Sequence, residues 1–496
     1  MNFQHKSGIL MHITSLPSPY GIGDLGQGAY DWLDFMAATG CKWWQVLPLG
    51  PTGYGDSPYQ SLSSFAGNPV MVSPELLYED GLIDKEHLEN RPNFLSDHVD
   101  FSTVIEYKRG LFQVGFMRLS ELPQLRAEFD EFRGKNEKWL EGFSLFMTIK
   151  QQQELRAWTT WPGDLRDRGP EAMKKARQQF ASTQSYFAFQ QFLFFRQWAR
   201  LRQRMAELDI KLIGDLPIYA ANDSADVWVN RHLFEMDVHG RPYRVAGVPP
   251  DMFSATGQLW GNPLYRWDVM KKHGYAWWLE RLRANLDLVD VLRLDHFRGF
   301  ADYYAVPASE PTAENGKWEL GPGADFLQTV RDKLGVLPLI AEELGGESSP
   351  LVIRLRDDFE LPGMKVFQFG FDDGREHQFL PHNYPERCVA YTGTHDNDTA
   401  MGWFASAPVA ERKFSLEYLG SDGEHFAWDM INRLWDSRAT LVVAPLQDFL
   451  ELGTEARMNY PGRPLGNWGW QVEAEALTDE LAGRIAKLNS EAGRSA

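Results

Sequence analysis

Residues 289–296, Val289-Asp290-Val291-Leu292-Arg293-Leu294-Asp295-His296, decide how this chain is read. A short apolar run ends in charged residues, and the segment before it carries Trp278, Leu282 and Leu286 at helical spacing. Continuous rather than alternating apolarity is what a parallel strand covered on both faces requires. Helix, buried strand and a polar strand end form one repeating unit, and the unit recurs along the chain.

Eight such runs are legible: Gly8–Ile13, Lys42–Leu47, Ile210–Gly214, Val289–Leu294, Leu337–Ala341, Met364–Phe369, Arg387–Tyr391 and Thr440–Ala444. Helical stripes stand between several of them. Tyr30, Leu33, Met36 and Ala37 form one, with Gly40 as terminator. Phe326, Val330 and Leu334 form another, closed by Gly335, and Ala427, Met430, Ile431 and Leu434 a third. Ser349 and Pro350 read as the N-cap and first residue of a further helix. Eight strands alternating with helices predict a (β/α)8 barrel, although a doubly wound sheet gives the same pattern.

Spacing between the runs is uneven. The stretches 50–208 and 216–275 are longer than a barrel connection needs and read as insertions on the face that builds the active site. The first is mostly helical, with Tyr186, Phe189, Leu193 and Trp198 near helical spacing. The second, rich in Gly, Pro, Asp and aromatics over Val238–Tyr265, reads as loop. A short helix-like tail, Leu477–Ser490, follows the last strand, with no room for a C-terminal β domain. The expectation is a single domain over 1–496.

Composition narrows the function. Asp and Glu number 68 against 50 Lys and Arg, a net charge of −18, which repels phosphate backbones and anionic lipid. The longest basic stretch, Lys174–Arg177, reads as a solvated face. Cys41 and Cys388 are too few for a disulfide framework or a cysteine metal site and read as buried apolar residues. The apolar run after Met1–Ser7 is too short for a signal-peptide core, and no segment reaches the roughly 20 apolar residues of a membrane span. A cytoplasmic protein is expected, with neither nucleic acid nor membrane as partner. Gly21-Ile-Gly23-Asp-Leu-Gly26 matches a dinucleotide fingerprint, but Pro17 and Pro19 separate it from the strand and the later acid is lacking.

Polar residues at strand ends are the catalytic candidates of a barrel. The third run ends in Asp215, the fourth in Arg293, Asp295 and His296, and the fifth in Glu342 and Glu343. The seventh leads into Thr392-Gly-Thr-His395-Asp396-Asn397-Asp398. One such acid is commonly a helix cap, but four on one rim are not explained by capping. Residues i and i+2 share a strand face, so Arg293 points with Asp295 and favours its ionised form. Glu342 and Glu343 must point oppositely, so one alone enters the mouth. Paired carboxylates are the chemistry of glycoside cleavage; metal binding is the competing use, but no histidine pattern at ligand spacing accompanies them. Aromatic residues in Gly/Pro loops, namely Tyr54, Tyr59, Trp260, Trp468 and Trp470, offer flat faces on which sugars stack, whereas Trp43 and Trp44 read as core.

These residues resemble the amylomaltases, the 4-α-glucanotransferases of glycoside hydrolase family 77. The resemblance rests on Gly55-Asp-Ser-Pro-Tyr59-Gln, Gly214-Asp-Leu-Pro-Ile-Tyr219, Gln258-Leu-Trp260-Gly-Asn-Pro263, Arg293-Leu-Asp295-His-Phe-Arg298-Gly, Ala341-Glu342-Glu-Leu-Gly345 and Thr392-Gly-Thr-His395-Asp396-Asn-Asp-Thr399, in that order. It implies a (β/α)8 barrel with Asp295 as nucleophile, Glu342 as general acid/base and Asp396 as the third carboxylate. It also implies that Tyr59, Asp215, Arg293 and His395 shape the donor subsite and that Trp260 and Asn467 touch the glucan; Tyr54 joins them as a stacking candidate. Neither metal nor cofactor is implied, and the partners are maltooligosaccharides and α-1,4-glucans. The α-amylases share the retaining barrel, but they carry a histidine a few residues after the first aspartate, and Asp215–Asp223 has none. A non-catalytic glucan-binding barrel would lack one of the three acids, and all three are present.

Overall fold

A computed structural model describes residues 3, 5–250, 254–344 and 349–495. Its strands in chain order are β1 (Lys6–Leu10), β2 (Trp43–Gln45), β3 (Lys211–Pro217), β4 (Arg244–Val248), β5 (Gln258–Pro263), β6 (Val291–Asp295), β7 (Asp302–Pro307), β8 (Lys317–Leu320), β9 (Leu339–Ala341), β10 (Gly363–Val366), β11 (Cys388–Tyr391) and β12 (Leu441–Pro445). Eight of them close a parallel barrel in the order β1-β2-β3-β6-β9-β10-β11-β12. Closure is made by β12 against β1, in register from Lys6 with Leu441 to Leu10 with Pro445. Each apolar run of the sequence overlaps one barrel strand, and the closed sheet excludes the doubly wound alternative.

Side chains alternate as the pleat demands. Leu10, Trp43, Ile213, Val291, Ile340, Met364, Val366, Val389, Tyr391, Leu441 and Val443 fill the barrel interior. Their neighbours Ile9, Trp44, Leu212, Leu292 and Val442 face outward into the main core against the helices. The predicted stripes lie on α1 (Gln27–Thr39), on α5 (Ala276–Leu286), on α6 (Gly323–Leu334) and on α8 (Phe426–Trp435). Gly40 ends α1 in the left-handed region, and Ser349 caps α7 (Pro350–Asp358) by accepting from the Leu351 N–H. Both cysteines are buried, as read.

Between β2 and β3 run three long helices, α2 (Phe101–Arg118), α3 (Pro123–Gln152) and α4 (Ala181–Glu207). The stretch 216–275 departs from the loop expected there. It contains β4 and β5, an antiparallel hairpin joined to β7 and β8 of the following connection in a sheet of order β5-β4-β7-β8. Glycine and proline, read as loop signals, here serve the sheet. A side chain at Gly247 would meet the Gln258 carbonyl at 2.5 Å, and the ladder is irregular between Val245 and Gly247. The excursion of residues 302–320 into this sheet has no clear alternation and was not foreseen. Met252 and Phe253 of this segment lie outside the described residues, as does Gly345.

The last helix, α9 (Asp479–Glu491), packs on α1, and Asn489 ties the two by donating to the Thr39 carbonyl at 2.8 Å. Beyond it Arg494 is fully buried under the barrel, donating to the carbonyls of Trp435, Ser437, Ala439 and Lys6. Among the described residues no carboxylate pairs with it, and burial lowers its pKa to about 10. Arg494→Ala strands these carbonyls without donors and should cost about 3 kcal/mol. Urea unfolding measures the loss, and an unchanged midpoint would show that the tail does not clamp the barrel.

Candidate active site

Position along each strand decides which polar residues reach the mouth. Asp215, Arg293 and Glu342 each lie two residues beyond a side chain of the barrel interior, Ile213, Val291 and Ile340 respectively, and Asp295 lies four beyond Val291. They converge on one guanidinium. Arg293 Nη1 lies 2.7 Å from Asp215 Oδ2 and 2.9 Å from Asp295 Oδ1, and Nη2 lies 3.9 Å from Glu342 Oε2. Its Nε faces Met364 Sδ at 3.4 Å, so every edge of the group is used. Burial opposes the arginine's charge, yet Asp215, Asp295 and Glu342 together hold its pKa well above the ordinary value.

Glu342 and Glu343 part company as alternation requires. Glu342 accepts from the His296 N–H at 2.6 Å and the Leu344 N–H at 2.8 Å, inside the mouth. Glu343 turns outward to Arg356 at 2.6 Å and the Met364 N–H at 3.2 Å. Burial pushes Glu342 up to about 7; the Asp295 charge adds to the rise, and Arg293 and the two N–H donors oppose it. Burial also pushes Asp215 up, against the pull of Arg293.

A second group stands opposite. Tyr59, brought in by the first insertion, donates to Asp215 Oδ2 at 2.8 Å and stacks on His395 with ring centroids 5.0 Å apart. His395 Nε2 lies 3.4 Å from Asp396 Oδ1, and Trp468 packs against both Tyr59 and His395. Asp396 is held from behind: Asn459 Nδ2 donates to its Oδ1 and Arg457 Nη2 to its carbonyl, each at 2.6 Å. Asn397 braces the turn, its Oδ1 accepting from Thr394 N–H and Oγ at 2.9 Å.

Trp260 stands edge-on to His296, centroids 4.8 Å apart, beside the residue that follows Asp295. His296 holds a left-handed backbone, φ 52°. Its Nε2 and Asp215 Oδ1 are buried without protein partners among the described residues. Tyr54 is 71% exposed on its turn. Asn467 is occupied in its own loop, accepting from the Tyr460 N–H at 3.0 Å and donating to the Arg463 carbonyl at 2.8 Å. Its structural task here is to shape residues 460–467. Trp470, a stacking candidate in the sequence, is buried.

Arg457 and Asn459 were missed because they lie in an irregular segment whose spacing carries no periodic signal. His296 carried one signal, adjacency to Asp295, and its backbone conformation could not be read from sequence. Among the described residues no group of three His, Cys, Asp or Glu side chains is placed to hold a metal ion. The arrangement can supply a carboxylate in a direct ion pair, a neighbouring carboxyl that is half protonated near neutrality, and an aromatic wall.

Residues 11–477 match the model of the 4-alpha-glucanotransferase family, glycoside hydrolase family 77. A 4-alpha-glucanotransferase of Thermus thermophilus is 46% identical, with 98% of this chain and 99% of the relative covered. That of a Synechocystis strain is 45% identical, with 98% of each covered. The solved amylomaltase from Streptococcus agalactiae in complex with acarbose superposes with a TM-score of 0.96 at 36% identity, covering 99% of this chain and 100% of that one.

The opposed glutamates make a sharp comparison. Glu342→Gln should lose several orders of magnitude in turnover of maltotriose, whereas Glu343→Gln should stay within about tenfold and lose stability instead, since it takes the buried partner from Arg356 and leaves only the more exposed Asp357. Kinetics with circular dichroism as a folding check would decide it; a dead Glu343→Gln with intact folding would reverse the assignment.

Proposed function

The chain belongs to the 4-alpha-glucanotransferases of glycoside hydrolase family 77, and from that premise we propose that it moves a segment of an α-1,4-glucan to the 4-hydroxyl of glucose or another maltooligosaccharide by a retaining double displacement. Asp295 attacks the anomeric carbon of the donor ring and Glu342 protonates the departing glycosidic oxygen. The bond from anomeric carbon to that oxygen breaks as the bond to Asp295 forms. In the second half Glu342 removes the proton of an acceptor 4-hydroxyl, whose oxygen displaces Asp295 and restores the α configuration. Asp396 and His395 hold ring hydroxyls, Tyr59 stacks on the donor ring, and Trp260 lies towards the acceptor.

The observation that carries this reading is Arg293 shared between Asp295 at 2.9 Å and Glu342 at 3.9 Å. The direct contact sets the guanidinium against the carboxylate proposed as nucleophile. The longer approach leaves burial free to raise Glu342 to about 7, where it can both give and take a proton. The acarbose held by the Streptococcus agalactiae amylomaltase supports α-glucans as the substrate class. No cofactor enters any step. Among the described residues no helix is long and apolar enough to cross a membrane; with the acidic charge, this supports a cytoplasmic location.

Maltotriose as sole substrate tests the reaction. Glucose and a ladder of longer maltooligosaccharides should appear while total reducing ends stay nearly constant, and Trp260→Ala should raise the share of new reducing ends per bond cleaved. A wild-type enzyme that steadily creates reducing ends would be a hydrolase.

The pH profile follows from Glu342. The first step needs its protonated form, so kcat/KM for the donor should fall as pH rises through about 7, about tenfold per unit beyond it. A profile flat from pH 6 to 9 would remove Glu342 from the role of general acid.

A further inference from the structure

We propose that His12 is a contact to the donor sugar, its Nε2–H donating to a hydroxyl of the ring that Asp295 attacks. The proposal rests on the function argued above and adds a residue from the connection that follows β1.

Register places the ring. Leu10 belongs to the barrel interior and Met11 to the outer core. The backbone stays extended at His12, φ −76° and ψ 149°, and the ladder to β2 runs one step past the strand through the Met11 N–H to the Gln45 carbonyl at 3.0 Å. His12 is therefore two residues beyond an interior side chain, the same offset that brings Asp215, Arg293 and Glu342 to the mouth. Gln45 holds the equivalent position on β2, but its Oε1 accepts from Tyr391 at 2.8 Å and is spent on the barrel interior.

The proton on the ring is also fixed. Nδ1 accepts from the Leu47 N–H at 3.2 Å, so in the neutral ring the hydrogen sits on Nε2. Nε2 has no protein partner among the described residues, and it is not among the polar atoms sealed from solvent without one. The ring is only 4% exposed, so an almost wholly buried side chain keeps one donor free. Burial, with His395 beside it, lowers His12 to about 3, which makes it a neutral donor throughout any working range. A neutral N–H suits a sugar hydroxyl, because it binds without adding charge to a mouth already balanced around Arg293.

The competing account is that His12 only satisfies the Leu47 N–H. Two amides separate the accounts, because asparagine reproduces the Nδ1 end of the ring and glutamine the Nε2 end. With maltotriose as donor, His12→Asn should lower kcat/KM on the order of tenfold, while His12→Gln should stay within about threefold. The KM for glucose as acceptor should be unchanged in both, and thermal unfolding checks the fold. The reverse order, equal losses in the two variants, or wild-type rates in both would overturn the proposal. Disproportionation by the wild-type enzyme tests the underlying function separately, so failure of one is distinguishable from failure of the other.

Discussion

The mouth of this barrel depends on one buried cation. Arg293 is 4% exposed, and a guanidinium taken so far from water must recover its hydration from partners. Two carboxylates in direct contact and a third at longer range meet that demand. The planar fork matters, since its separate edges serve Asp215, Asp295, Glu342 and Met364 at once, which the single point charge of a lysine could not do. The dependence runs both ways: without the arginine, three acids would crowd one low-dielectric mouth and repel one another. Acids and base therefore form one unit, and the strands β3, β6 and β9 are bound through it as well as through their ladders.

The aromatic half of the site is assembled differently. Tyr59 comes from the first insertion, His395 from the connection after β11, and Trp468 from the segment after β12. Asp396 is oriented by Arg457 and Asn459, which also follow β12. Late segments of the chain thus fold back over the mouth, and Asn467 shapes the loop that makes this possible. Asp215, Arg293 and Asp295 sit on barrel strands and Glu342 directly follows one, whereas Tyr59, His395, Asp396 and Trp468 sit on connections. This is the division a barrel permits, because its loops can vary without disturbing the closed sheet.

Much of this was legible in the sequence, for physical reasons. Parallel strands buried on both faces must be continuously apolar, and that pattern marked all eight barrel strands. Alternation then separated Glu342 from Glu343 before any coordinates, because adjacent strand residues cannot share a face. Legibility failed where the chain obeys weaker rules. The strands β4, β5, β7 and β8 are antiparallel and differ in burial, β7 being covered and β8 largely exposed, and β4 and β5 carry glycines and a proline that read as turns. Asn467 lies near the C-terminus where the resemblance places a glucan contact, yet its hydrogen bonds close its own loop. His12 lay within the first apolar run, and only the observed register turns it towards the site.

A difference of one ångström divides the work between the two acids at the centre. Asp295 touches the guanidinium directly, and Glu342 stands 3.9 Å from it. Coulomb attraction weakens with distance, whereas the penalty for burying a charge does not depend on how near the arginine is. At Glu342, where the approach is longer, burial prevails. The N–H groups of His296 and Leu344 limit the rise at Glu342, since both donate to the charged form. Without them its pKa would climb further, and the group would protonate a leaving oxygen readily but deprotonate an incoming hydroxyl poorly. The proposed double displacement asks both steps of the same carboxyl. The value near 7 is thus a balance of burial against Arg293 and two backbone donors, one of them the N–H of His296, whose backbone is left-handed.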